Sequence, residues 1–123
     1  MVEACRREVR EEIGLDRAPT RLLAYDWAPR DDEGDKLLYI FACGILGADE
    51  ERIRLDTVEL DHWEWVPNNR IDDYLIPRLA RRLHRAYATE GTTVYLEHGE
   101  PGQSQFQILG PDIKLHASAV ATP

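Results

Sequence analysis

With 123 residues, 31% charged and 43% hydrophobic, the chain has the make-up of a single globular domain long enough to bury a core. A formal net charge of −8 argues against a general nucleic-acid binder, since phosphate backbones are held by clustered Lys and Arg, and a polyanionic substrate would need a metal bridge. The longest apolar run, Leu37 to Leu46, is too short to cross a bilayer and no signal peptide is visible, so no membrane partner is expected and a reducing cytoplasm is the default setting.

The first element, within Val2 to Leu15, is a helix that ends at Gly14, with Leu15 leading the chain out. Val2, Cys5, Val9 and Ile13 recur at steps of three, four and four, which lays an apolar stripe along the side expected to face a core. Glu8, Glu11 and Glu12 stand at i, i+3 and i+4, so their carboxylates gather within one turn, with Arg7 and Arg10 expected outside that cluster. Like charges at this spacing cost a few tenths of a kcal/mol, a cost that a bound cation would reverse. From spacing alone a solvated Glu- and Arg-rich face is the favoured reading, and an acidic partner-facing surface is a third alternative. Gly14 sits where a helix C-cap belongs.

After Ala18 and Pro19, Arg21 to Trp27 reads as a strand with Leu22, Ala24 and Asp26 on one face and Leu23, Tyr25 and Trp27 on the other. Pro29 to Asp35 is a polar turn, and its acids, Asp31, Asp32, Glu33 and Asp35, read as a solvated hairpin tip. Lys36 to Leu46 is nearly continuous in apolar residues, the pattern of a strand buried on both faces and the expected centre of the sheet. Gly47 to Leu60 is a polar connection with one short candidate strand, Ile53 to Leu55. His62 to Val66 reads as a strand ended by Pro67, with Trp63 and Trp65 on one face. Packing is the expected use of both tryptophans, and stacking a base or sugar the alternative.

From Ile71 the period turns helical: Leu75, Leu79, Leu83 and Ala86 line one side, Pro77 falls in the opening turn, and Arg78, Arg81, Arg82 and Arg85 make the other face basic. That basic face reads as solvated, or as a partner for acids of the same domain. Thr92 to Leu96 is a final strand. A domain over residues 1–98 is then followed by a disordered or loosely packed tail over 99–123, rich in Gly, Pro and Gln. Cys5 and Cys43 lack metal-ligand spacing and read as buried thiols, and the four histidines share no spacing.

Arg7-Glu8-Val9-Arg10-Glu11-Glu12-Ile13-Gly14-Leu15 resembles the second half of the Nudix box, G-x5-E-x7-R-E-U-x-E-E-x-G-U with U a bulky aliphatic residue, and matches every fixed position from the Arg onward. Counting back from Arg7, the first Glu of the box would fall two positions before Met1, and its leading Gly six positions earlier still. The resemblance therefore implies an α/β fold, a Nudix-type α/β/α sandwich truncated at its N-terminus, with an unpaired sheet edge that favours a homodimer.

The same resemblance implies Mg²⁺- or Mn²⁺-dependent hydrolysis of a pyrophosphate linkage in a small nucleoside diphosphate derivative, weakened by the missing half-box. Mg²⁺ takes oxygen ligands and keeps several waters, which suits carboxylates meeting a substrate phosphate. By the family's pattern Glu11 and Glu12 match the paired metal ligands, and Glu8 matches the Glu that binds metal or acts near the base. Arg7 matches the Arg that orients a box glutamate. Glu59, five residues before Glu64-Trp65, best matches the later glutamate that completes the metal site or serves as general base. The alternative is a catalytically inactive Nudix-like binding or regulatory fragment.

Overall fold

The structure is a computed structural model that describes residues 1–32, 34–88 and 91–102. It is a mixed α/β fold: helix α1 (Val2–Ile13), strands β1 (Arg21–Arg30) and β2 (Gly34–Ala42), a short 3-10 turn at Gly47–Arg52 and another at Asn68–Arg70. Helices α2 (Ile71–Tyr74) and α3 (Pro77–Ala88) follow, and then strands β3 (Val94–Glu97) and β4 (Glu100–Pro101). The four strands form one sheet in the order β2-β1-β3-β4. β1 pairs antiparallel with β2 and parallel with β3, and α3 provides the helical crossover that a parallel pair requires.

The register of β1 on β2 shifts between Leu22 and Ala24, leaving Leu23 as the bulged residue. Leu22 then pairs with Phe41, Tyr25 with Tyr39 and Trp27 with Leu37, while Ala24, Asp26 and Ala28 pair with Ile40, Leu38 and Lys36. Paired residues share a face, so the bulge moves Leu22 to the side of Tyr25 and Trp27, opposite to where strict alternation puts it. The face carrying Ala24, Asp26 and Ala28 lies under α3. Leu23, Ala24, Ala86 and Leu96 form its core, with Ile40, Ala42 and Val94 packed against them. The other face is aromatic, and Tyr25 and Tyr95 meet there at 5.1 Å between ring centroids.

Several expected elements take another form. β2 lies at an edge of the sheet and β1 at its centre, because the apolar residues of β2 are divided between the α3 face and the aromatic face and none of them is fully buried. Ile53 to Leu55 is not a strand: the Arg54 N–H donates to the carbonyl of Ile13 at 2.9 Å, so it serves a helix end rather than a sheet ladder. His62 to Val66 is not a strand either. Trp63 and Trp65 still lie together, edge to face at 6.0 Å, and the Trp65 indole N–H donates to Glu50 Oε1 at 2.9 Å.

The helix expected from Ile71 is broken at Leu75, which is extended at φ −115° and ψ 148°, and Pro77 opens a second helix whose preceding residue is kept out of helical geometry by the proline ring. The stripe of α3 against the sheet is Ala80, Arg82 and Ala86, whereas Leu79 is exposed. The sheet continues past the expected boundary at residue 98, through a two-residue turn with positive φ at both His98 (53°) and Gly99 (81°), into β4. Residues 103–123 of the expected tail lie outside the described residues.

Candidate functional site

α1 ends as its sequence dictates. Gly14 adopts φ 72° and ψ 13°, and its N–H donates to the carbonyl of Arg10 at 3.0 Å. A Cβ at Gly14 would stand 3.1 Å from both Cβ and O of Arg54, so positive φ and close approach both require glycine here. That approach lets the segment after the 3-10 turn satisfy carbonyls that a helix end leaves without partners: Arg54 N–H reaches Ile13 O at 2.9 Å and Asp56 N–H reaches Glu12 O at 3.0 Å. Asp56 in turn organises the loop beyond it. Its carbonyl accepts from the N–H of Glu59 (3.2 Å) and Leu60 (2.9 Å), and its Oδ1 from Val58 N–H (3.1 Å). Glu59 is therefore tied to Glu12 through two consecutive backbone hydrogen bonds, which brings the loop acid to the end of the acidic helix.

Arg7, Glu8, Glu11, Glu12 and Glu59 are all exposed. Arg7, expected outside the cluster, lies inside it: its Nη2 is 3.7 Å from Glu8 Oε1 and its Nε 3.9 Å from Glu11 Oε1. These are long contacts between solvated groups and hold the carboxylates weakly. The Glu12 and Glu59 carboxylates form no ion pair with a described residue. Their oxygen chemistry suits Mg²⁺ or Mn²⁺ and the side chains have room to turn onto an ion, but among the described residues no three His, Cys, Asp or Glu side chains converge on a shared point.

The rest of α1 is fastened from outside its own turn. Arg6 binds Asp16 through two bonds of 2.6 and 2.9 Å, and the guanidinium holds the Asp16 carboxyl below the usual carboxylate range. Arg17 donates to the carbonyls of Cys43 (3.0 Å) and Leu46 (3.1 Å) and to Asp49 Oδ2 (3.0 Å), locking the chain after α1 to the loop after β2. The Cys5 and Cys43 thiols are free, and the Cys5 thiol is pushed up first by burial and then by its neighbour Cys43. Both are half-buried rather than buried. Arg17, Arg54 and Asp56 carry no motif that sequence reasoning would single out. The only local signal is Asp56 opening a turn.

The NUDIX domain family model matches residues 1–88, and the chain belongs to the Nudix family. No curated protein and no solved structure gives a significant match. The fold fits that membership as a mixed α/β domain with a four-stranded sheet. Among the described residues no helix is long and apolar enough to cross a membrane.

Proposed function

We propose that the chain is a Nudix-type pyrophosphohydrolase that uses Mg²⁺ or Mn²⁺ to cleave a nucleoside diphosphate derivative. The observation that carries this reading is the placement of Glu8, Glu11 and Glu12 on one exposed turn whose end is bonded to the loop of Glu59. Those four carboxylates would hold the cation, which when bound neutralises phosphate charge and lowers the pKa of an attacking water. Arg7 lies beside Glu8 and Glu11 and pairs with them loosely, and the backbone ties at Glu12 and Asp56 keep Glu59 within reach of the helix end.

Assays with Mg²⁺ against ADP-ribose, 8-oxo-dGTP and dinucleoside polyphosphates test this. Turnover that Glu11→Gln abolishes, with a rise in melting temperature on adding millimolar Mg²⁺ that Glu12→Gln removes, supports the reading. No turnover and an unmoved melting curve with either ion refute it. The second reading, an inactive nucleotide-binding or regulatory fragment, is favoured by the absence of three converging ligands among the described residues. It predicts stabilisation by nucleotide without turnover, even in a version extended upstream with a Gly and a Glu at the box spacing.

A further inference from the structure

A cavity of about 350 Å³ opens where α3 crosses the hairpin, lined by Ala28, Arg30, Lys36, Leu38, Arg78, Arg81, Arg82 and His98. Five of the chain's fifteen Lys and Arg thus surround one concavity in a molecule of net charge −8, and among the described residues no carboxylate lines it. Such concentration is opposite to what an acidic surface gives by chance, and a basic concavity with apolar walls focuses its field on an anion.

The cations are set in place by their surroundings. Arg82 is nine-tenths buried and its Nε donates to the wholly buried Asp26, which fixes the back wall. Arg81 Nη2 donates to the carbonyl of His98 at 2.8 Å, and the His98 N–H donates to Trp27 O at 3.1 Å, so the β3–β4 turn and α3 brace each other at the rim. Glu100 is shared between Arg81 and Arg85, both at 3.2 Å, and Arg78 pairs with no described carboxylate. Positive charge is therefore left over on the α3 side, beside the apolar surface of Ala28 and Leu38.

This concavity is separate from the acidic helix. Ala28, Lys36 and Leu38 share the face under α3, and none of the lining residues belongs to α1 or to the loop of Glu59. We propose that the cavity is a second ligand site, for a small phosphorylated molecule bound through its phosphates by Arg78, Arg81 and Lys36 without a metal. A volume of about 350 Å³ lies within the range of small-molecule pockets and suits a compact phosphate ester or short polyphosphate. Bidentate guanidinium contacts are the natural grip on such groups.

The probe is sodium tripolyphosphate, titrated calorimetrically into the full chain in EDTA so that no metal can bridge phosphate to the glutamates. Saturable one-to-one binding that weakens with salt, falls on the order of tenfold or more in Arg78→Glu and stays unchanged in Glu11→Gln is the expected result. Lys36→Glu is the second variant, on a different element, should Arg78→Glu fail to fold. Binding absent in the parent chain, or as tight in both charge-reversed variants as in the parent, overturns the proposal. Sedimentation with phosphatidylserine vesicles separates a lipid headgroup from a free phosphate: vesicle binding without tripolyphosphate binding also overturns it.

Discussion

α1 and α3 are both twelve-residue amphipathic helices, and they are held in opposite ways. α3 is held by its face: Ala80, Arg82 and Ala86 are buried against the sheet, and its one buried charge is paired with the one buried carboxylate beneath it, among the described residues. α1 buries no residue and is held by its end, through Gly14, Arg54 and Asp56, and by exposed pairs along its side. A helix anchored by its face commits that face to packing, whereas one anchored by backbone bonds at its terminus leaves a whole turn of side chains in solvent. Glu8, Glu11 and Glu12 occupy that turn.

The contrast is broken most severely at the Asp26–Arg82 pair. Arg82→Ala leaves a carboxylate buried without its partner and is expected to cost about 3–5 kcal/mol, whereas Asp26→Leu with Arg82→Met recovers most of the loss. Urea denaturation of the three proteins measures both. Gly14→Ala strikes the other anchor: a left-handed Ala costs about 1–2 kcal/mol, and its Cβ must displace Arg54. It should also remove the Mg²⁺-dependent rise in melting temperature, which no α3 variant away from the helix end should do.

Smaller effects appear as pH dependence. Burial, and then its hydrogen bond to Glu97, push the Tyr95 hydroxyl up to about 12, so the folded state holds this proton more tightly than the unfolded chain. The resulting stability is complete below about pH 10, the ordinary tyrosine value, and is lost as pH rises towards 12. Thermal melts across that window should be flatter for Tyr95→Phe. Asp16 shifts the other way. Its carboxyl is lowered by Arg6, so its contribution is present above the ordinary Asp value of about 3.9 and lost as pH falls through the folded value. Arg6→Ala should remove that acid-side loss and leave the melting temperature at neutral pH almost unmoved, as solvated pairs contribute little.

What could be read in advance were features whose cause is local. The C-cap needs only Gly14 after a periodic stripe, the hairpin tip only its run of polar residues around Gly34, and the shared face of Ala24 and Asp26 only alternation. The bulge at Leu23 was hidden because a single extra residue leaves no mark in an apolar run, yet it reassigns Leu22 to the other face. The buried partner of Arg82 was one of many acids in the sequence, and nothing short of the fold selects Asp26. For the candidate site, the motif supplied Arg7 and the three helix glutamates, while Arg54 and Asp56, which tether Glu59 to them, act through backbone atoms that every residue has.

The parallel pairing of β1 with β3 has a consequence for synthesis. Thr93 donates its hydroxyl to Leu22 O at 2.8 Å across 71 residues of sequence, and Ala24 finds its neighbour Val94 only across a similar span. At about 5–20 residues per second the ribosome needs roughly 4–14 s to make that stretch. Through that interval β1 and β2 exist as a two-stranded hairpin, which is marginally stable in water, with Leu23, Ala24 and Ile40 of the face that α3 later covers left open. The nascent chain therefore passes through a period in which the core face of its future interior strand is open to other chains, and that period closes only once α3 and β3 have emerged.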